Sequence, residues 1–246
     1  MHGLDEYDFH ARGYYPAIMR TTTIDPHAER YYETSPYAWC GNNPLRYVDP
    51  DGRDILIWYK DDEDKWQTWS FTGSNHGKAP KNQFVSNFLT AYDYNIGNGG
   101  GDNLRNAAES TDFTVNLIKT PIESRRRNLD TGRPQEESFV LWNPEIGLET
   151  KEGYSMSPAT VLEHEMDHGI RYVTDNTRGY LNDVKQGSDS QYGTREERRV
   201  ITGSEVKTAR ANGEFPKNYV RKDHNSSRFI FVPSPTSNKK IKYLYP

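Results

Sequence analysis

"PATVLEHEMDHGIRY", residues 158–172, carries His164-Glu165-x-x-His168 inside an apolar pattern of helical spacing. Ser157 is a favourable N-cap and Pro158 suits the first helical position, so a helix is expected to begin here. At about 100° per residue, Leu162, Met166, Gly169, Ile170 and Val173 fall in one stripe. His164 and His168 lie together on the opposite side. The histidines are therefore expected to face away from the surface that this helix buries.

Two imidazoles one turn apart on a helix can converge on one zinc ion, and Glu165 beside them can act on a zinc-bound water as general base. Zinc kept open for catalysis needs a third protein ligand. The extended pattern, with a histidine six residues after His168, is absent: Thr174 stands there, and Arg171 replaces the glycine of that pattern. The third ligand must come from elsewhere. The run "TREERRVITGSEVKTARANGE", residues 194–214, reads as a second helix capped by Thr194 and offers Glu196, Glu197 and Glu205. Thr194-x-x-Glu197 is also a capping box, in which Glu197 would bond the backbone of its own helix. His224 is a further candidate.

The segment Thr194-x-Glu196-Glu197-x-Arg199-x-x-x-Gly203 resembles the Glu-Glu-x-Arg-Thr-x-Gly-Gly stretch that supplies the zinc glutamate in clostridial neurotoxin proteases. Similar pairs occur in metallopeptidase toxins among bacterial effectors. Val200 and Thr202 depart from that pattern. The resemblance implies Glu197 as third ligand, with Glu196, Glu205 and His224 as alternatives. It also implies a role for Arg221-x-x-His224, which stands where those proteases carry an Arg-x-x-Tyr pair that stabilises the oxyanion. The fold implied is zincin-like: an α+β domain in which a small antiparallel or mixed sheet packs on the motif helix and a second, glutamate-bearing helix. In zincins the strand before the motif helix borders the cleft, so Phe139 to Asn143 is expected there.

The remaining sequence fits an α+β reading. Residues 54–60 and 65–73 read as strands around the acidic turn Asp61-Asp62-Glu63-Asp64, and 82–94 as a helix. Gly97-Asn98-Gly99-Gly100-Gly101 lacks a following Lys-Ser/Thr, and so reads as a flexible loop with no phosphate to cradle. Residues 113–120 and 138–143 read as strands flanking a polar loop. Two strand-like runs, "RFIFV" and "KIKYLY", close the chain. At 246 residues, with a net charge of −4, there is room for one substantial domain plus a smaller piece, and no basic stripe to hold nucleic acid. Only Arg125-Arg126-Arg127 is locally basic. Cys40 is the single cysteine, which excludes an intrachain disulfide. There is no membrane-length apolar run and no Sec-type signal at the start.

Residues 1–53 have a different texture, dense in Tyr, Pro, Gly and Asn. "YDFHARGYYP", "IDPHAERYY" and "SPYAWCGNNPLRYVDPDGRD" resemble the end of an RHS repeat-associated core domain. In such proteins a variable toxin or effector domain follows the "DPDG" junction, which implies a boundary between 53 and 54. The resemblance also implies an RHS shell or secretion apparatus in a parent protein, a cognate immunity protein, and delivery without a Sec signal after a cytoplasmic stage. Asp25 and Asp49 recur where some cores cut themselves. The expected function is that of a zinc endopeptidase effector acting on proteins of a target cell. The alternatives are a non-enzymatic RHS-associated tail and a nuclease toxin.

Overall fold

The computed structural model describes residues 54–110, 113–120, 139–175, 178–185 and 187–241, together with three short strands ahead of them. The chain divides into two compact units, Met1–Arg53 and Asp54–Pro246. In the first, β1 (Tyr7–Asp8), β2 (Gly13–Tyr15) and β3 (Arg20–Thr21) pair antiparallel in that order. Asp25, Cys40, Asp49, the triple arginine at 125–127 and most of the final "KIKYLY" run lie outside the described residues.

The second unit is a mixed α+β domain. Alternation in β4 (Ile55–Lys60) buries Ile55 and Ile57 on one face, and β5 (Trp66–Phe71) returns antiparallel beside it. The acidic turn between them is an Asx turn, because Asp61 Oδ1 accepts the amides of Glu63 at 3.0 Å and Lys65 at 2.9 Å. Strands β6 (Val115–Lys119) and β7 (Phe139–Trp142) add parallel to β4, giving the order β5-β4-β6-β7. Register stacks Ile55 beside Phe71 and Val115, and Ile57 beside Leu117, so one face of the sheet is uniformly apolar.

Three helices cover that face. The side chain of Asn82 caps α1 (Gln83–Gly97) by accepting the amides of Phe84 and Val85. Helix α2 (Asp102–Ala108) follows at once, and α3 (Pro158–Thr174) carries the two histidines. Leu162, Met166 and Ile170 of α3 enter the same core as Phe88, Leu104, Leu117 and Trp142, which is the stripe expected from the sequence. A second sheet, ordered β12-β8-β9, is formed by β8 (Ile146–Glu149), β9 (Ser155–Met156) and β12 (Arg228–Phe231). The sequence signalled β12 through "RFIFV" but left β8 and β9 unassigned, because both are too short to show a period.

The glycine row is not the flexible loop expected. Gly97 ends α1, Gly99 and Gly101 adopt left-handed backbone, and Gly101 caps α2, with its amide donated to Thr208 Oγ1 at 3.2 Å. A carboxyl does sit on the N-terminus of α2, and it is internal: Glu163 of α3 accepts the amides of Asn103 at 2.8 Å and Leu104 at 3.1 Å, while burial pushes its pKa up to about 7.

The stretch after α3 also departs from expectation. Residues 175–192, a polar stretch with no regular period in the sequence, contain α4 (Arg178–Lys185) and β10 (Ser188–Asp189), which pairs with β11 (Gly193–Thr194). The expected second helix is divided into α5 (Arg195–Val200), a π-helical turn over Ile201–Glu205, and α6 (Val206–Ala211).

Close packing fixes where α3 lies. A Cβ on Gly169 would come within 2.5 Å of Val140 Cγ2 on β7 and 3.2 Å of Val115 Cγ1 on β6. Gly169→Ala should therefore destabilise the domain by about 1–3 kcal/mol in urea unfolding, where an open helical site would gain up to about 1 kcal/mol. The start of α3 is held by Glu214, which accepts Ser157 N at 3.1 Å and the Thr160 hydroxyl at 2.6 Å. Burial outweighs these bonds and pushes the Glu214 carboxyl up to about 7 from an ordinary 4.5. Its neutral form is the one folding favours, so its contribution is complete below pH 4.5 and is lost as pH rises through about 7. In Glu214→Gln, the unfolding midpoint measured between pH 5 and pH 8 should fall less steeply than in the unsubstituted chain, the remaining slope being that of Glu163, which burial also pushes up to about 7.

Candidate metal centre

The histidines are set by ordinary helix rules. Ser157 Oγ accepts the Thr160 amide, Pro158 opens α3, and one helical turn separates His164 from His168. Their Nε2 atoms lie 3.2 Å apart. What orients the rings is the other nitrogen. His164 Nδ1 lies 2.8 Å from Glu205 Oε2, and His168 Nδ1 lies 3.0 Å from Glu196 Oε1. A neutral imidazole that donates from Nδ1 presents a lone pair at Nε2. Both lone pairs are therefore turned toward the same point.

Glu197 stands across from them. Its amide donates to Thr194 Oγ1 at 3.0 Å, so Thr194 caps α5 as expected. The other half of the capping box is not made. The Glu197 carboxylate lies 3.4 Å from His164 Nε2 and 3.5 Å from His168 Nε2, and its buried Oε2 makes no hydrogen bond. Ligand atoms of His164, His168 and Glu197 all lie within 4.8 Å of one another.

The four acidic and histidine alternatives for a third ligand thus sort by geometry. Glu196 is 1% exposed and is engaged by Arg171, by Arg199 Nη2 at 2.8 Å and by His168. Glu205, also 1% exposed, is engaged by Arg221 and His164. His224 lies 3.6 Å from Glu197 Oε2 and is half-exposed. Among the described residues Glu197 forms ion pairs with histidines alone, while each neighbouring glutamate has an arginine.

The π-helical turn brings Glu205 into this arrangement. In an unbroken α-helix, Glu205 would be turned about 80° from Glu197 around the axis. One extra residue in the turn reduces that to about 20°. The resemblance implies Arg221 at an oxyanion, but its guanidinium is 3% exposed and directed at Glu205, with Nε at 2.9 Å.

Electrostatics mark the cluster as a trap for positive charge. Burial opposes a charge on His164, but the Glu197 and Glu205 carboxylates outweigh it and raise its pKa to about 10. His168 is raised in the same way by Glu196 and Glu197 against its burial. Glu197 is half-buried, which opposes its charge, yet the two histidines hold its carboxyl far below the usual range. An orphaned buried oxygen and two convergent imidazole lone pairs are what a divalent cation satisfies, and a His-His-Glu set suits zinc. The Nδ1 tethers are the outer-sphere carboxylates such ligands usually carry.

Beside the histidines lies a cleft of about 250 Å³. Glu165 lines it, together with His168 and Glu197, and Phe139 and Val140 of β7 form one wall. Tyr172 of α3 lines the cleft with Tyr180 and Val184 of α4, and the α4 pair is not legible in the sequence because that helix lies in a polar stretch. Burial, followed by the nearby Glu196, Glu165 and Glu197, pushes the Tyr180 phenol up to about 12.

A family model described as Peptidase M91, effector protein, matches residues 77–227. The chain belongs to peptidase family M91. The matched span contains every site residue named above, so the M91 domain is that of a peptidase-type effector. Part of the chain is also similar to salivary gland surface protein 1 of Aedes aegypti, at 47% identity over 47 residues. That likeness covers 19% of this chain and 1% of the mosquito protein. No solved structure matches the chain.

Ligands and their supports should separate in a metal titration of this M91 domain. Glu197→Ala and His164→Ala should abolish stoichiometric zinc uptake. Glu196→Gln and Glu205→Gln should keep the stoichiometry and lose about 10–100-fold in affinity, read by competition with a chromophoric chelator. Equal losses for Glu196→Gln and Glu197→Ala would place the third ligand elsewhere.

Proposed function

We propose that this M91 chain is a zinc-dependent endopeptidase of zincin-like plan, delivered as an effector. The observation that carries the proposal is the meeting of ligand atoms of His164, His168 and Glu197 within 4.8 Å, with Glu197 Oε2 buried and unbonded, beside a cleft lined by Glu165. His164, His168 and Glu197 would hold the ion. When bound, zinc supplies Lewis acidity, drawing the pKa of water toward neutrality and polarising a carbonyl. Glu165 takes the proton of the water that attacks the scissile carbonyl and passes it to the leaving amine. Glu205 and Glu196 keep both histidines in the tautomer that presents Nε2, and Arg221 keeps Glu205 ionised and in place.

Strand β7 positions the substrate. Among the described residues it pairs only with β6, so its outer edge can accept an extended peptide as an added strand running past Glu165. His224 remains near enough to Glu197 to approach a bound substrate.

Residues 1–53 are read as the end of an RHS core and residues 54–246 as its effector. That reading calls for a shell or secretion apparatus in a parent protein, a neighbouring immunity protein, and a protein substrate in the target cell. Among the described residues no helix is long and apolar enough to cross a membrane.

Glu165→Gln tests the mechanism, because it keeps size and polarity and removes the base. Zinc content should be unchanged, while proteolysis should fall by about 10²–10⁴-fold and toxicity on expression should disappear. Undiminished proteolysis in that variant would sink the assignment of Glu165.

A further inference from the structure

Most polar side chains lining the cleft are already engaged. His168 bonds Glu196 through Nδ1 and faces Glu197 through Nε2. Thr194 Oγ1 accepts the Glu197 amide as the cap of α5. Glu165, Glu196 and Glu197 donate nothing when ionised. The nearby cations are engaged too: Arg171 and Arg199 on Glu196, and Arg221 on Glu205. A developing negative charge in this cleft would therefore meet mainly carboxylates.

Tyr180 differs from these. It reaches the same cleft from α4, with its ring edge-on to His168 at 6.5 Å and to Tyr172 at 5.5 Å. Its hydroxyl makes no hydrogen bond to a described residue. A phenol keeps its proton at neutral pH, so this is an uncommitted neutral donor. The aromatic contacts on two sides hold the ring without using the hydroxyl, which leaves the O–H available to a substrate.

We propose that Tyr180 is a catalytic residue that donates a hydrogen bond to the oxyanion formed at the scissile carbonyl, the role expected of Arg221 and His224 from the sequence. This inference rests on the endopeptidase reading. As the water oxygen bonds to the carbonyl carbon, the C=O π pair moves onto oxygen and the water proton moves to Glu165. The Tyr180 hydrogen bond strengthens as that charge grows, without transfer of its proton. When the C–N bond breaks, the electron pair returns to the carbonyl, and the proton on Glu165 goes to the departing nitrogen. A preorganised donor in a cleft shielded by Phe139, Tyr172 and Val184 stabilises that charge far more than water would.

The test starts from the full chain loaded with zinc and a random peptide library read by mass spectrometry. The best-cut sequence is made as a substrate and as its phosphinic isostere, a tetrahedral anion that needs no turnover to report on the donor. Tyr180→Phe keeps the ring and its contacts. It should retain full zinc content, lose roughly 100-fold in kcat with little change in KM, and bind the phosphinate more weakly by a similar factor. Unchanged kcat and phosphinate affinity in Tyr180→Phe, or a loss confined to KM, would overturn the proposal while leaving the peptidase reading intact. A zinc-loaded wild type that cuts no library peptide would overturn the peptidase reading itself, and the role of Tyr180 with it.

Discussion

The hydrogen bonds from His164 Nδ1 to Glu205 and from His168 Nδ1 to Glu196 decide what the rest of this site can be. Two imidazoles four residues apart share a helical face in many proteins, and alone they leave both the tautomer and the ring orientation open. Anchoring each Nδ1 to a carboxylate removes that freedom and sends both Nε2 lone pairs toward Glu197. With both rings neutral, the three acceptors face one another with no donor between them, an arrangement that calls for positive charge, whether protons on the imidazoles or a cation. The raised basicity of His164 and His168 and the depressed pKa of Glu197 are two views of that same demand.

Buried carboxylates are costly unless paired, and the pairing explains the architecture around the site. Glu196 is held by Arg171 from α3 and by Arg199 from its own helix, and Arg199 also reaches Asp167 at 2.7 Å. Arg171 extends to Asp183 at 2.7 Å, which ties α4 to the motif helix and brings Tyr180 and Val184 to the cleft. Glu205 is balanced by Arg221 from beyond α6. Glu163, next to His164 in the chain, accepts two amides at the N-terminus of α2, and burial keeps its carboxyl raised to about 7. Each acid that serves as a support therefore has its own partner, and Glu197 is the acid left facing the histidines.

Much of the scaffold was legible because it rests on local rules. The cap at Ser157, the stripe of Leu162, Met166 and Ile170, the hairpin around Asp61 and the helix after Asn82 all follow from propensity and periodicity over a few residues. The elements that were missed are short or polar: β8 and β9 span four and two residues, and α4 is embedded in a charged stretch. The glycine row misled for a different reason. Its composition is that of a flexible loop, but Gly100 packs against Thr208 and Gly101 has a bonded amide, contacts made more than 100 residues away.

The sequence by itself determined the chemistry available at the site: two histidines and a glutamate at helical spacing, and Glu196, Glu197 and Glu205 on a later segment. Which of those glutamates meets the histidines is set by a capped helix start at Thr194 and by the π-helical turn that swings Glu205 round to His164. No local pattern announces such a turn. Arg221 shows the same limit. Its charge and its distance along the chain suit an oxyanion, but whether it meets substrate or Glu205 depends on how the chain after α6 folds back over α3. Only the tertiary structure decides that, because a buried glutamate must find its cation before either is free to do chemistry.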